Sequence, residues 1–247
     1  MKIVFVGTNG WYDSSIGNTT CVLVETSSYI IILGAGSGIV KLDTYVNFSK
    51  PTFLLLSHFH WDHIIGLHVI SKFNFHGGLF ICGSGDVKVV LERVISFPFT
   101  IPFEKMNYEI NYIKLAGDVP LLPFPLKVLP LVHSGVVLGF RFLIDNKIVA
   151  YCTDTGYCEN AVKFAKEADL LITECAFKSG QEDVAWPHLN PEKTAMIAKE
   201  AASRKLGLMH FDAAICKTKK ERAQAEGIAR CVLNNTVATE DDVVIEL

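Results

Sequence analysis

The segment Leu54-Leu55-Leu56-Ser57-His58-Phe59-His60-Trp61-Asp62-His63 runs an apolar stretch straight into H-x-H-x-D-H. Residues two apart in an extended chain project to the same side, so His58 and His60 can address one point. Asp62 and His63 are adjacent, project differently, and can address a second ion. Imidazole and carboxylate together suit zinc first, then iron or manganese. The bland alternative, a polar loop rich in histidine, accounts poorly for such a cluster. Three further residues follow apolar runs: His133 after Val128-Leu129-Pro130-Leu131-Val132, Asp154 after Ile148-Val149-Ala150-Tyr151-Cys152-Thr153, and His210 after Leu206-Gly207-Leu208-Met209. Singly, each reads as an ordinary loop residue; strand ends on one shared edge would make them ligands. Two ions about 3.5–4 Å apart need a carboxylate and an activated water between them, and Asp154 is the natural bridge.

The elements that must position these residues are short. Strands are expected at 2–6, 20–25, 28–33, 53–56 and 79–82, then at 111–115, 126–131, 138–144, 147–152, 170–173 and 206–210. The run Tyr29 to Leu33 is unbroken and reads as a strand covered on both faces. Helices are expected at 62–73, 87–95, 160–167, 191–204 and 217–232, with Asn190-Pro191 as a capping amide followed by a first-turn proline. The segment 97–103 fits neither element because of Pro98 and Pro102. It is left open as a lid over the site, a contact between two copies, or part of the core. Strands and helices in both halves, without strict alternation, suggest an α+β arrangement of helices flanking two packed sheets. The chain, 1–247, reads as one domain.

Of the 247 residues half are apolar and a fifth charged, and the net charge is −3. Mean hydropathy is high, at +0.31. Yet the longest apolar runs, Ser28–Leu33 and Phe53–Leu56, fall far short of the roughly 20 residues a membrane span needs. Met1 to Val6 reaches Gly7 too soon for a signal-peptide core, so a cytoplasmic protein is expected. Seven cysteines without a C-x-x-C pair point to reduced thiols. No lysine or arginine run provides a basic footprint, which weighs against a large nucleic acid but not against a small phosphorylated substrate.

Taken in order, H-x-H-x-D-H, a lone His, a strand-end Asp and a second lone His resemble the metallo-β-lactamase superfamily over essentially the whole chain. The resemblance implies an αββα four-layer sandwich, with two mixed sheets packed face to face and helices outside. It also implies two divalent metal ions, one on His58, His60 and His133 and another on Asp62, His63 and His210, bridged by Asp154. Thr153-Asp154-Thr155-Gly156, Thr173-Glu174-Cys175-Ala176-Phe177 and His188-Leu189-Asn190-Pro191 resemble the ribonuclease Z and cyclic-phosphodiesterase branch. That branch implies a catalytic His188 at the scissile phosphate and leaving group. Glu174 could orient His188, and Asp62 could assist proton transfer. Asp212 has no assigned role.

Two departures from the pattern stand out. Where the family has a strand ending in Asp-x-Gly, this chain has Leu33-Gly34-Ala35-Gly36, without the carboxylate that orients the histidine loop. The Gly34-x-Gly36-x-Gly38 spacing also lacks the third glycine of a dinucleotide fingerprint, Ile39 standing there, so it reads as a turn near the metals. Second, the 20 residues between His133 and Asp154 leave no room for the tRNA-gripping arm of ribonuclease Z. The expected function is hydrolysis of a small cyclic or nucleotide-like phosphodiester by metal-activated hydroxide. Alternatives are a ribonuclease Z-like RNA endonuclease, a hydrolase of carboxylic esters, thioesters or lactams, and a non-catalytic metal-binding protein. A redox di-iron role is disfavoured because His60 stands where those relatives carry glutamate. A homodimer is left open.

Overall fold

The computed structural model describes residues 1–116 and 122–247. Its first half contains β1 (Lys2–Gly7), β2 (Asn9–Gly10), β3 (Cys21–Glu25), β4 (Ile30–Leu33), β5 (Thr52–Leu55), β6 (Leu79–Gly83) and β7 (Ile110–Lys114). The helices there are α1 (Trp61–Ile64) and α2 (Val87–Glu92), with 3-10 segments at Ser37–Thr44, Ile65–Lys72 and Phe103–Lys105. The second half contains β8 (Leu126–Pro130), β9 (Leu138–Ile144), β10 (Lys147–Cys152), β11 (Leu170–Glu174), β12 (Leu206–Met209), β13 (Phe211–Asp212), β14 (Thr236–Ala238) and β15 (Val243–Glu246). Its helices are α3 (Glu159–Ala165), α4 (Pro191–Glu200) and α5 (Lys219–Arg230).

One sheet has the order β15-β1-β3-β4-β5-β6-β7 and the other β14-β12-β11-β10-β9-β8. Both mix parallel and antiparallel pairs: β4, β5, β6 and β7 run parallel in the first, and β10, β11, β12 and β14 in the second. Alternation within β4 explains why Ile30 to Leu33 is apolar throughout. Ile31 and Leu33 face the layer between the sheets, with Phe5 and Phe53 from one side and Phe140, Phe142 and Tyr151 from the other. Ile30 and Ile32 face outward, onto Ile39, Leu67 and Leu91 of the helical layer. On the opposite flank Ala150, Leu171 and Leu208 pack against Phe164, Ala195 and Ala225 of α3, α4 and α5. The result is helix, sheet, sheet, helix, the expected αββα sandwich, in which each apolar face is covered by another.

The parallel strands set the position of the chemistry, because loops leaving their carboxyl ends gather on one rim. β5 leads into His58–His63, β10 into Asp154, and β12 into His210. The amide of Leu138 donates to Ser57 O at 3.0 Å, tying the two sheets together beside that rim.

Several expectations need correction. The helix at 62–73 is one α turn followed by a 3-10 segment. His63 O accepts the amide of Ala35 and Gly66 N–H donates to Ala35 O, so neither serves the i to i−4 ladder that would extend the α-helix. In the 97–103 segment Phe97, Phe99 and Ile101 are exposed and only Phe103 is buried, so it is not part of the core as a whole. The amides of Phe99 and Thr100 fold back on Ser96 O, which turns the apolar side chains outward. The strands β2, β13, β14 and β15 were not expected, nor was the 3-10 segment at 37–44. No described helix is long and apolar enough to cross a membrane.

Arg222 is the largest side chain among those fully buried. It extends from α5, which a Thr218–Glu221 capping box starts. It donates to Thr8 Oγ1 at 2.8 Å, to Thr239 O at 3.3 Å and to Asn9 Oδ1, and its guanidinium lies 4.7 Å from the Phe211 ring centroid. Thr8, Asn9 and Phe211 all adjoin the pairing of β2 with β13. A methionine at 222 would leave these acceptors buried and unpaired. Arg222→Met is therefore expected to lose roughly 2–4 kcal/mol of unfolding free energy. Urea denaturation measures this, and a loss under about 0.5 kcal/mol would contradict the assignment.

Candidate metal centre

His58 and His60 lie on extended chain after β5, and α1 begins only at Trp61. Asp62 and His63 thus sit on its first turn and point elsewhere. Two groups of ligand-type atoms result, His58, His60, His133 and Asp154 in one and Asp62, His63, Asp154 and His210 in the other, the atoms of each within 4.8 Å of one another. Asp154 belongs to both, and its oxygens divide between them. Oδ2 lies 3.5 Å from His58 Nε2 and 3.9 Å from His133 Nε2, while Oδ1 lies 3.3 Å from His63 Nε2 and 2.9 Å from His210 Nε2. Asp62 Oδ2 lies 3.2 Å from His210 Nε2 and 3.7 Å from His63 Nε2, and accepts the Trp11 amide at 2.8 Å.

Protons alone do not satisfy this cluster. His63 Nε2 and His210 Nε2 face one another at 3.2 Å. His58 Nε2, both ring nitrogens of His133, and Nδ1 of His63 and of His210 are buried without a hydrogen-bond partner. Buried polar atoms are seldom left so, and converging imidazoles with a shared carboxylate match the donor set of a borderline divalent cation. The electrostatics are correspondingly divided. Burial, then the His63 ring beside it, pushes His58 down to about 2. Burial also opposes charge on His210, but Asp154 and Asp62 outweigh it and hold its pKa well above the ordinary value. For Asp154, burial is likewise opposed and outweighed, here by His210 and His63, which hold the carboxyl well below its usual range.

A second construction adjoins the first. Glu174, fully buried at the end of β11, accepts from His188 Nδ1 at 2.8 Å through Oε1 and 2.9 Å through Oε2. The amides of Leu189 (3.2 Å) and Thr155 also donate to it, so the carboxylate is fixed from several sides. Burial opposes charge on His188, but Glu174 more than compensates and raises its pKa. The His188 ring centroid lies 5.0 Å from that of His133 and 6.1 Å from that of His210, and the ring lines the cleft over the cluster.

Residues 41–211 match the family model of the beta-lactamase superfamily domain. The chain belongs to this superfamily. It is similar to the probable metallo-hydrolase YhfI of Bacillus subtilis, at 30% identity over 85% of this chain and 87% of that protein. Its fold overlays the crystal structure of YhfI with a TM-score of 0.81, covering 99% of this chain and 98% of the other. A ribonuclease Z of Bacillus licheniformis is 25% identical over 98% of this chain and 97% of its own length. The short form of human tRNase Z shares the fold at a TM-score of 0.77 and 21% identity, covering 100% of this chain and 99% of that one. The protein is thus a metallo-hydrolase of the superfamily, and its side-chain groups suit divalent metal.

Against the superfamily pattern, Gly34 occupies a left-handed turn at φ 75°, with Thr20 O 3.0 Å from where a Cβ would stand, so a carboxylate side chain there would be strained. The histidine loop is held instead by main chain, Ala35 N–H donating to His63 O at 2.8 Å and Ala35 O accepting from Gly66 N–H at 2.9 Å. Asp212 accepts the Ala214 amide at 2.7 Å and so caps a turn, while also lining the cleft.

The structure adds Gly10 and the Trp11 amide, neither of which was singled out from sequence. His210 stands at φ 51°, outside the range most side chains prefer, and its ring packs closely on Gly10. A Cβ at 10 would come 2.5 Å from His210 Cε1. Gly10→Ala is accordingly expected to displace that ring and to weaken divalent-metal binding by roughly tenfold or more, the range found when supports of metal ligands are lost. Competition with a chromophoric chelator, alongside circular dichroism as a check on folding, measures it. Unchanged affinity in a folded variant would contradict the role.

Proposed function

We propose that the protein is a two-metal phosphodiesterase acting on a small cyclic or nucleotide-like phosphodiester. The Glu174–His188 pair carries this reading, because it places an oriented imidazole over the cluster without being needed to complete either ligand group. The ligands would be His58, His60, His133 and Asp154 for one ion and Asp62, His63, His210 and Asp154 for the other, with zinc the first candidate. Two such ions supply Lewis-acid charge to the phosphoryl oxygens and lower the pKa of water.

The protein's own groups do the rest. Glu174 accepts a hydrogen bond from the Nδ1–H of His188, which leaves Nε2 to face the departing oxygen. The raised pKa favours the protonated ring, which can stabilise charge there and donate a proton as the P–O bond breaks. Asp62, fixed by the Trp11 amide, is placed to accept a proton from the attacking water. Hydrolysis of a carboxylic ester or lactam does not require His188, so the pair favours phosphate. The hairpin of β9 and β10 occupies most of the span between His133 and Asp154, leaving no projecting arm there to grip a large RNA.

His188→Ala should keep its metal content and fold yet lose about 10²–10⁴-fold in kcat on bis-p-nitrophenyl phosphate. Any carboxylic esterase activity should change far less. Near wild-type phosphodiesterase turnover in the variant would reduce His188 to a structural residue.

A further inference from the structure

All three tryptophans of the chain, Trp11, Trp61 and Trp186, line a single cleft of about 820 Å³ over the metal centre. They remain substantially exposed, at 65%, 59% and 48% respectively. Large aromatic side chains are usually drawn into a core, where their area is worth most. Three left open around one cavity therefore offer surface to something else.

The backbone that carries each is also held in place. Trp11 has a left-handed backbone (φ 70°), rare for a bulky residue, and is anchored through its amide to Asp62 Oδ2 at 2.8 Å. Trp61 opens α1 directly beside Asp62. The carboxylate of Asp183 accepts the amides of Ala185 at 2.8 Å and Trp186 at 3.1 Å, shaping the turn that carries Trp186. The Trp186 ring is parallel to His60 within 7°, at 6.3 Å between centroids, and lies 5.3 Å from the His133 ring and 6.0 Å from His188. It thus forms a wall running from the ligand cluster towards the mouth.

The charges of the cleft are as telling as its rings. Among the described residues its lining includes no lysine or arginine, and its carboxylates are Asp62, Asp154 and Asp212. With two divalent ions, the balance against those three carboxylates would leave about one positive charge. A polyanion is held by many lysine and arginine side chains, and among the described residues none lines this cleft. One phosphate group is what this balance accommodates.

We propose that the tryptophans form a stacking site for a flat aromatic or heteroaromatic ring attached to a single phosphate group, as in a nucleoside monophosphate or a cyclic nucleotide. The proposal rests on the phosphodiesterase reading for the phosphate, and on the cleft alone for the ring. Trp186 supplies the inner face, and Trp61 and Trp11 the rim. Stacking of a base on an aromatic side chain is sequence-tolerant, since every base presents a π-face. The site therefore selects for a ring rather than for a particular base.

Adenosine 5′-monophosphate and ribose 5-phosphate differ by the base and share the phosphate. Calorimetric titration of the zinc-reconstituted protein should give at least roughly tenfold tighter binding of the former, the scale of one stacked base. Trp186→Ala and Trp61→Ala should each reduce that preference several-fold, while metal content and ribose 5-phosphate affinity stay as in wild type. Trp186→Phe should retain most of it. Equal affinities for the two probes, absence of binding by both, or a preference that survives both alanine variants would overturn the proposal. Turnover of bis-p-nitrophenyl phosphate separates the two readings. Hydrolysis without ring preference rejects the stacking site alone, and ring preference without hydrolysis of any phosphodiester rejects the phosphodiesterase reading alone.

Discussion

The carboxylate of Asp154 is the point on which the structure turns. Its two oxygens face opposite ways, Oδ2 towards His58 and His133 and Oδ1 towards His63 and His210. A buried carboxylate so placed is costly unless positive charge lies on both sides of it. The fold meets that constraint with stiffness. Asp154 follows β10, which sits between β9 and β11 in the middle of its sheet, so its backbone is fixed by hydrogen-bonded neighbours on either hand. Displacement of this one group would disturb both halves of the cluster together.

The remaining residues come from places far apart in the chain, and the sandwich brings them to one rim. The first sheet delivers His58 to His63 from β5, and the second delivers His210 from β12. The joint between them is the short pairing of β2 with β13, where Gly10 lets the His210 ring lie close and the Trp11 amide reaches Asp62. Buried Arg222 and the Asp241 carboxylate, which accepts from Thr8 and Asn18 amides and pairs with Lys41, brace this joint from behind. Interactions well away from the rim therefore govern its geometry.

How much of this could be read from the residues depends on the range of the interaction. H-x-H-x-D-H announces itself because its meaning lies in spacing along six positions. The buried strands were legible because an unbroken apolar run such as Ile30 to Leu33 has no other stable place. His133, Asp154 and His210 showed only as strand-end residues, and the resemblance to a known family was needed to connect them. The pairing of Glu174 with His188 was suggested in the same way. Gly10 and Trp11 were not found, since a two-residue strand has no periodicity and their partners, His210 and Asp62 respectively, lie 200 and 51 residues ahead. Helix 62–73 was overextended because Ala35, distant in sequence, takes the hydrogen bonds that α-helical continuation requires. The role of Gly34 follows the same logic, for main-chain bonds from its neighbour now secure the loop that a side-chain carboxylate would otherwise orient.

The central claim is that one carboxylate serves two ions, and metal titration of three proteins tests it most directly. Wild-type protein stripped of metal, Asp154→Ala and His133→Ala would each be titrated with zinc by calorimetry, with elemental analysis after desalting. A shared bridge predicts two ions bound by wild type, loss of tight binding at both sites in Asp154→Ala, and loss at a single site in His133→Ala. Equal, single-site losses in the two variants would contradict it.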